Sequence, residues 1–220
     1  MPPTGTILVF VKAPEPGQVK TRLAATVGPE VAAALYRGWV GTVFGALQPL
    51  RPGVHLVGYY DGGPRAAFAA WEPLADDWWP QPVGDLGERL AAGFRRGLAA
   101  GGPVLAVGTD CLELDATLVA DAFGALATAD VVFGPATDGG YYLVGLAADR
   151  PGLFHRIRWS GPHTLADHLA RCRENGWSVA LLPPRADIDT WDDWTAYRSR
   201  AGDPRFAQPD LPGGRGPDPE

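Results

Sequence analysis

Thr6-Ile7-Leu8-Val9-Phe10-Val11, followed by Lys12-Ala13-Pro14-Glu15-Pro16-Gly17-Gln18-Val19-Lys20-Thr21-Arg22-Leu23, is the stretch from which the rest of the 220-residue chain can be read. The first six residues have the β-branched, apolar character of a buried strand, and the two prolines with Gly17 force an irregular turn that cannot continue it. Lys12, Lys20 and Arg22 bring three cations into that turn. Close to a helix start, where backbone N–H groups lack partners, such cations suit a phosphate group. The same residues also suit an exposed loop with ordinary surface charges. A Walker loop is ruled out, because its Gly-Lys-Ser/Thr triplet is missing and Gly17 stands three residues before Lys20.

Working outward, strands and helices alternate. Val31, Leu35, Trp39, Val43 and Leu47 recur every four residues and predict a helix from Pro29 to about Leu47. Val54 to Tyr60 predicts a strand, Ala66 to Trp71 a short helix, and the segment bearing Trp78 and Trp79 a loop whose tryptophans serve packing. Asp85 is placed to cap a helix from Leu86 to Ala99, and Val104 to Val107 is a second buried strand running into Gly108-Thr109-Asp110-Cys111. A helix over about Asp115 to Leu126 and a strand over Asp130 to Phe133 follow. Then the rhythm changes: only the glycine-rich loop Gly134 to Gly140 separates that strand from Tyr141 to Leu146, which predicts an antiparallel member in a mixed, mostly parallel sheet. Pro162 to Asn175 reads as helix, Trp177 to Leu182 as strand, and Thr190 to about Arg200 as a last helix capped by Thr190. Residues 1–201 read as one α/β domain, and 202–220, rich in Pro, Gly, Asp and Arg, as a loose tail.

Composition narrows the function. A net charge of -6 argues against a general nucleic-acid binder, so any anion site must be a local cluster of cations. Two cysteines, Cys111 and Cys172, are too few for a disulfide framework and point to a reduced, cytoplasmic setting. No apolar run has the roughly 18 residues of a membrane span, and no secretory leader is visible. The four histidines lack zinc-site spacing, and Cys111, following a buried strand, reads as a small hydrophobe.

Ligands of open α/β sheets bind beyond the carboxyl ends of the strands. Lys12, Asp110, Asp138 and the Asp187-Ile188-Asp189 triplet all fall just past a strand in this reading. Carboxylates there suit Mg²⁺, which binds through one or two of them together with substrate phosphates. Each also has a plain role: Asp110 and Asp138 as turn residues, Asp189 as part of a helix start.

The loop from Phe10 to Leu23, Gly84-Asp-Leu-Gly-Glu-Arg89, Gly108-Thr-Asp-Cys111, Gly134-Pro-Ala-Thr-Asp-Gly-Gly-Tyr141 and Asp187-Ile-Asp-Thr190 together resemble the bacterial glycosyltransferase-A-like family. That family is similar to the 2-phospholactate and molybdenum-cofactor guanylyltransferases. The resemblance implies the nucleotide-diphospho-sugar transferase (GT-A) fold, a three-layer sandwich with a mixed, mostly parallel sheet. It implies a transferase with Mg²⁺ (or Mn²⁺) as cofactor, a nucleotide or nucleotide sugar and a small-molecule acceptor as partners, and neither nucleic acid nor membrane. By position it assigns Lys12, Lys20 and Arg22 to nucleotide phosphates, with Lys20 and Asp110 catalytic. Asp110 and Asp189 would hold the metal; Leu86, Gly87 and Arg89 would meet base or ribose; Asp138, Gly139 and Gly140 would face the acceptor. Nucleotidyl transfer, favoured by the cationic loop, competes with glycosyl transfer and with a nucleotide-binding protein that has lost catalysis. Two positions depart from the family pattern, Leu112 where Pro is usual and Gly161 where Thr is usual.

Overall fold

In the computed structural model, which describes residues 4–201, the alternation read from the sequence closes into one seven-stranded sheet. Strand β1 (Thr6–Lys12) lies near its middle, parallel to β2 (His55–Asp61) on one side and to β4 (Val104–Val107) on the other. Strand β3 (Asp77–Pro80) extends the β2 edge in parallel. Beyond β4 comes β6 (Tyr141–Leu146), antiparallel both to β4 and to β5 (Val131–Pro135), and β7 (Val179–Leu181) runs parallel to β5 at the far edge. The order is therefore β3-β2-β1-β4-β6-β5-β7, and β6 is the antiparallel member expected after the glycine-rich loop. The tail expected over 202–220 lies outside the described residues.

Among the described residues six α-helices cover the two faces: α1 (Thr21–Val27), α2 (Pro29–Leu47), α3 (Leu86–Ala99), α4 (Ala116–Ala125), α5 (Thr164–Glu174) and α6 (Trp191–Ala201). Alternation along β1 divides the core. Ile7, Val9 and Val11 point to one face and join Trp39, Val43 and Leu47 of α2, Val119 of α4 and Trp194 of α6. Leu8 points to the other and meets Leu90 and Phe94 of α3 and Cys172 of α5. Each fully buried large side chain of this kind stabilises the fold by roughly 1.5–3 kcal/mol.

Two elements differ from expectation. The segment after the first loop forms a helix of its own, α1, which Gly28 (φ 85°) separates from α2. Trp78 and Trp79 sit in strand β3 rather than in a loop, and both are buried. Gly58 of β2 makes room for Trp78, since a Cβ there would stand 2.3 Å from the indole.

This order places a crevice. The chain passes from β1 to β2 on one side, and β4 joins β1 on the other, so neighbouring connections leave the carboxyl edge in opposite directions. Ligands of open α/β sheets bind at such a switch point.

Candidate functional site

A cleft of about 920 Å³ opens there, walled by Lys12 at the end of β1, the loop from Gln18 to Arg22, Gly108 to Asp110 after β4, and Asp189. Arg89 and Leu86 of α3, and Tyr141, Tyr142 and Ser160, also line it.

Lys20 is its centre. At the N-cap of α1 its backbone is left-handed (φ 48°, ψ 48°), a conformation that disfavours a branched or bulky side chain. The side chain turns inward: Nζ lies 2.8 Å from Asp110 Oδ1, 2.9 Å from Asp189 Oδ1 and 2.5 Å from the Ile188 carbonyl, with the Trp39 ring centroid 5.5 Å away. Only 6% of the side chain is exposed, whereas Arg22, whose guanidinium reaches Asp189 Oδ2 at 3.5 Å, is 71% exposed. The segment from Gln18 to Arg22 thus holds one surface cation and one interior cation, not a run of ordinary surface charges. Burial opposes the charge on Lys20, but the Asp110 and Asp189 carboxylates outweigh it and hold its pKa above the ordinary value.

Asp110 and Asp189 meet because the segment after β7 is a strap. β7 lies at the sheet's far edge, so Asp189 does not stand beside its own strand end, as the sequence suggested. Instead Arg185 N–H donates to the Pro135 carbonyl at the end of β5, Tyr142 Oη donates to the Pro183 carbonyl, and Ile188 N–H donates to the Asp110 carbonyl at 2.9 Å. Asp193 of α6 fixes the end: its carboxylate accepts from the N–H groups of Asp189 and Thr190, while its own N–H donates to Thr190 Oγ1, the expected cap. On the other side Tyr36 Oη of α2 accepts from Lys12 N–H at 3.0 Å and from Thr109 Oγ1 at 3.2 Å, tying the β1 and β4 ends together.

The α3 wall is equally tied down. Asp85 and Glu88 form a reciprocal capping box, so the first turn is fixed. Arg89 Nε donates to the Gly84 carbonyl, and its guanidinium pairs with Asp61 at the end of β2. Arg89 is at the cleft, as read, but its charge is engaged in shaping the 81–85 segment. Leu86 lines the opening and is 42% exposed. Gly87 is not among the lining residues: it is buried against Phe154 and Trp159, and a Cβ would stand 2.4 Å from the Phe154 carbonyl, so packing accounts for it.

The acceptor-side trio also has a structural role. Asp138 Oδ1 accepts from Gly140 N–H at 2.9 Å, an Asx turn. Gly139 (φ 91°) presses on Pro162, whose carbonyl oxygen would lie 2.3 Å from a Cβ. None of Asp138, Gly139 and Gly140 lines the cleft; Tyr141 and Ser160 (φ 59°) beside them do. Neither was singled out in the sequence as a site residue, and no signal short of the register of β6 and the strained turn at Ser160 pointed to them. Of the departures, Leu112 packs in the core next to Cys111, whose thiol burial pushes up to about 12.

Asp187 is a third carboxylate near this site. Its Oδ1 is buried and, among the described residues, without a hydrogen-bond partner. Burial first, and then the charges of Asp110 and Asp138, raise its pKa to about 7. The donor set fits a hard divalent cation: two carboxylates already share one positive charge, and a third has an unmatched oxygen nearby. Among the described residues no three His, Cys, Asp or Glu side chains are grouped as a ready-made metal cage, so phosphate and water would supply the remaining ligands.

Comparison with known proteins agrees with the architecture. The family described as an uncharacterized protein conserved in bacteria (DUF2064) matches residues 46–161. A crystal structure of a presumed nucleotide-diphospho-sugar transferase from Desulfovibrio desulfuricans G20 is 35% identical, with 90% of this chain and 88% of that chain covered at a TM-score of 0.82. The inositol-1-phosphate CTP transferase from T. maritima is 13% identical, covering 88% of this chain and 92% of its own at a TM-score of 0.58. Glucosyl-3-phosphoglycerate synthase from Mycobacterium tuberculosis, in complex with Mn²⁺, UDP and glucosyl-3-phosphoglycerate, is 14% identical over 89% of this chain and 75% of its own, at a TM-score of 0.54. The fold is thus that of the nucleotide-diphospho-sugar transferases. No curated protein matches the chain, and no described helix is long and apolar enough to cross a membrane.

Proposed function

Since this chain belongs to the DUF2064 family and carries the fold of the nucleotide-diphospho-sugar transferases, we propose that it is a divalent-metal-dependent transferase acting on a nucleoside triphosphate or nucleotide-diphosphate sugar, with nucleotidyl transfer to a small acceptor as the first choice. The observation that carries this reading is the pairing of Asp110 with Asp189 across a cleft that also holds Lys12 and Arg22. Two carboxylates and several cations on one wall are what a metal–polyphosphate needs from a protein.

The roles follow from position. Lys12 and Arg22, exposed at the mouth, draw in and hold phosphate oxygens through charge-assisted hydrogen bonds. Asp110 and Asp189 would hold Mg²⁺ or Mn²⁺, which when bound polarises the phosphoryl oxygens and neutralises leaving-group charge. The Tyr36 hydroxyl keeps Lys12 and Thr109 in register, and Leu86 offers an apolar edge to a base. In nucleotidyl transfer an acceptor oxygen attacks the α-phosphorus as the bond to the pyrophosphate leaving group breaks. Tyr141 and Ser160 lie on the wall assigned to that acceptor.

Incubation with each of the four nucleoside triphosphates and a panel of nucleotide sugars, with Mg²⁺ or Mn²⁺ and phosphorylated small acceptors, separates the chemistries by product. Pyrophosphate release supports the first choice, nucleoside diphosphate release the glycosyl alternative, and tight binding without turnover a non-catalytic protein. Failure to bind any nucleotide would overturn the reading.

A further inference from the structure

Lysine is scarce in this chain. Of 19 basic residues only Lys12 and Lys20 are lysines, and both stand in the cleft. Everywhere else the chain uses arginine, which cannot replace a compact, strongly hydrated point charge. Lys20 Nζ has the size and position of a small cation, touching one oxygen of Asp110, one of Asp189 and the Ile188 carbonyl, all at 2.9 Å or less. Arg22 takes the other oxygen of Asp189. Asp189 is thereby committed to side-chain cations on both oxygens.

We infer that Lys20 is the resident cation of the Asp110–Asp189 pair, and that its ammonium and a divalent metal ion are alternative occupants of the same seat. The inference rests on the metal reading above and adds a mechanism of loading. A metal ion cannot share Asp110 Oδ1 and Asp189 Oδ1 with an ammonium at such distances without strong repulsion, so its entry must expel Nζ. The freed side chain, anchored at the start of α1, then faces the cleft, where substrate phosphate gives it a new partner. Metal ion alone is opposed by Lys20; metal arriving with phosphate is not. The site would therefore stay closed to free metal and load both ligands together.

The probe is Mn²⁺ without nucleotide, followed by the electron paramagnetic resonance signal of the free ion. Lys20→Met should bind Mn²⁺ about tenfold or more tightly than wild type, because the carboxylates have lost their internal counter-ion. Lys20→Arg, which keeps a positive charge but not the compact ammonium, should fall between wild type and Lys20→Met. Circular dichroism verifies that each variant is folded. A second measurement needs no variant: acetylation of wild type by an amine-reactive ester, mapped by mass spectrometry, should label exposed Lys12 readily and Lys20 slowly. Saturating Mn²⁺ with nucleotide should change the Lys20 rate severalfold while Lys12 reports general accessibility. Equal Mn²⁺ affinity in wild type and Lys20→Met, with an unaltered Lys20 labelling rate, would overturn the exchange and leave the metal reading standing. Absence of Mn²⁺ binding in every protein, with or without nucleotide, would overturn both.

Discussion

Replacing Lys20 by Ala removes the ammonium that spans Asp110 and Asp189, and the two carboxylates then face each other with Arg22, on Asp189 Oδ2, as the remaining counter-charge. Breaking a fully buried ion pair costs about 3–5 kcal/mol. Here the aspartates are 42% and 39% exposed, and screening by solvent brings the expected loss to about 1–2 kcal/mol. Arg22→Ala, on a side chain 71% exposed, should alter stability by less than about 0.5 kcal/mol yet weaken nucleotide binding. Urea unfolding of the two variants beside calorimetric nucleotide titration checks this; equal stability losses would contradict the assignment of one interior and one surface cation. At the same scale, His168 is fully buried and boxed by Phe133, Tyr141, Phe154 and Trp159, with Nδ1 bonded to the Thr164 carbonyl at 2.8 Å. Burial lowers its pKa to about 4 from 6.5. Its contribution is therefore complete above pH 6.5 and lost as pH falls toward 4, where the unfolded chain takes up a proton and the folded one resists. The loss amounts to at most about 3 kcal/mol. His168→Phe should flatten the fall of the melting temperature between those pH values; an unchanged slope would remove His168 as its source.

Helices α2 and α3 were legible in the sequence because their signals are local: a four-residue apolar stripe from Val31 to Leu47, and Asp85 three residues before Glu88. Strand β3 was not, because Asp77-Trp78-Trp79-Pro80 lacks the β-branched, apolar run that marks the equally short β4, and what makes Trp78 a strand residue is the space left by Gly58 on the neighbouring strand β2. The site divides the same way. Lys20 declared itself as a cation near a helix start and Asp110 by position after a strand, whereas the strap that delivers Asp189 depends on bonds from Arg185, Tyr142 and Ile188 to partners scattered over the fold. Gly87 and Gly139, expected at ligand positions, each pack against a neighbouring backbone; a motif glycine of that kind looks the same in sequence as one that admits a ligand. The α3 cap gives a test at this scale. Asp85→Ala should destabilise by about 1 kcal/mol. Because the first turn of α3 carries Leu86 and Arg89, it should also lower nucleotide affinity severalfold, whereas the equivalent cap change Asp115→Ala at α4, which lies away from the cleft, should cost similar stability with no effect on affinity. Chemical unfolding and calorimetry on the pair decide it.

For the molecule as a whole, the cleft joins parts of the chain that are distant in sequence: the first loop from Lys12 to Arg22, the start of α3, the turn after β4 and the strap ending at Asp189. A ligand held by all of them binds only the folded state, so it must raise stability by mass action. At a concentration about a hundredfold above its dissociation constant the gain is about 2.7 kcal/mol, or a rise of roughly 5–10 °C in melting temperature for a chain of this size. Metal–nucleotide should produce that rise, and nucleotide with a chelator a smaller one, since Lys12 and Arg22 still reach phosphate. Asp110→Asn and Asp189→Asn each keep the size of the side chain but remove a negative charge, so each loosens Lys20 and alters the baseline melting temperature. The informative quantity is therefore the shift on adding metal–nucleotide, measured for every variant against its own ligand-free state. Both variants should lose the metal-dependent part of the shift and retain the chelator-resistant part. If only Asp110→Asn lost it, Asp189 would be an anchor for Lys20 rather than a metal ligand, and the unmatched oxygen of Asp187 would become the better partner for Asp110. Asp187→Asn in the same assay separates those two arrangements.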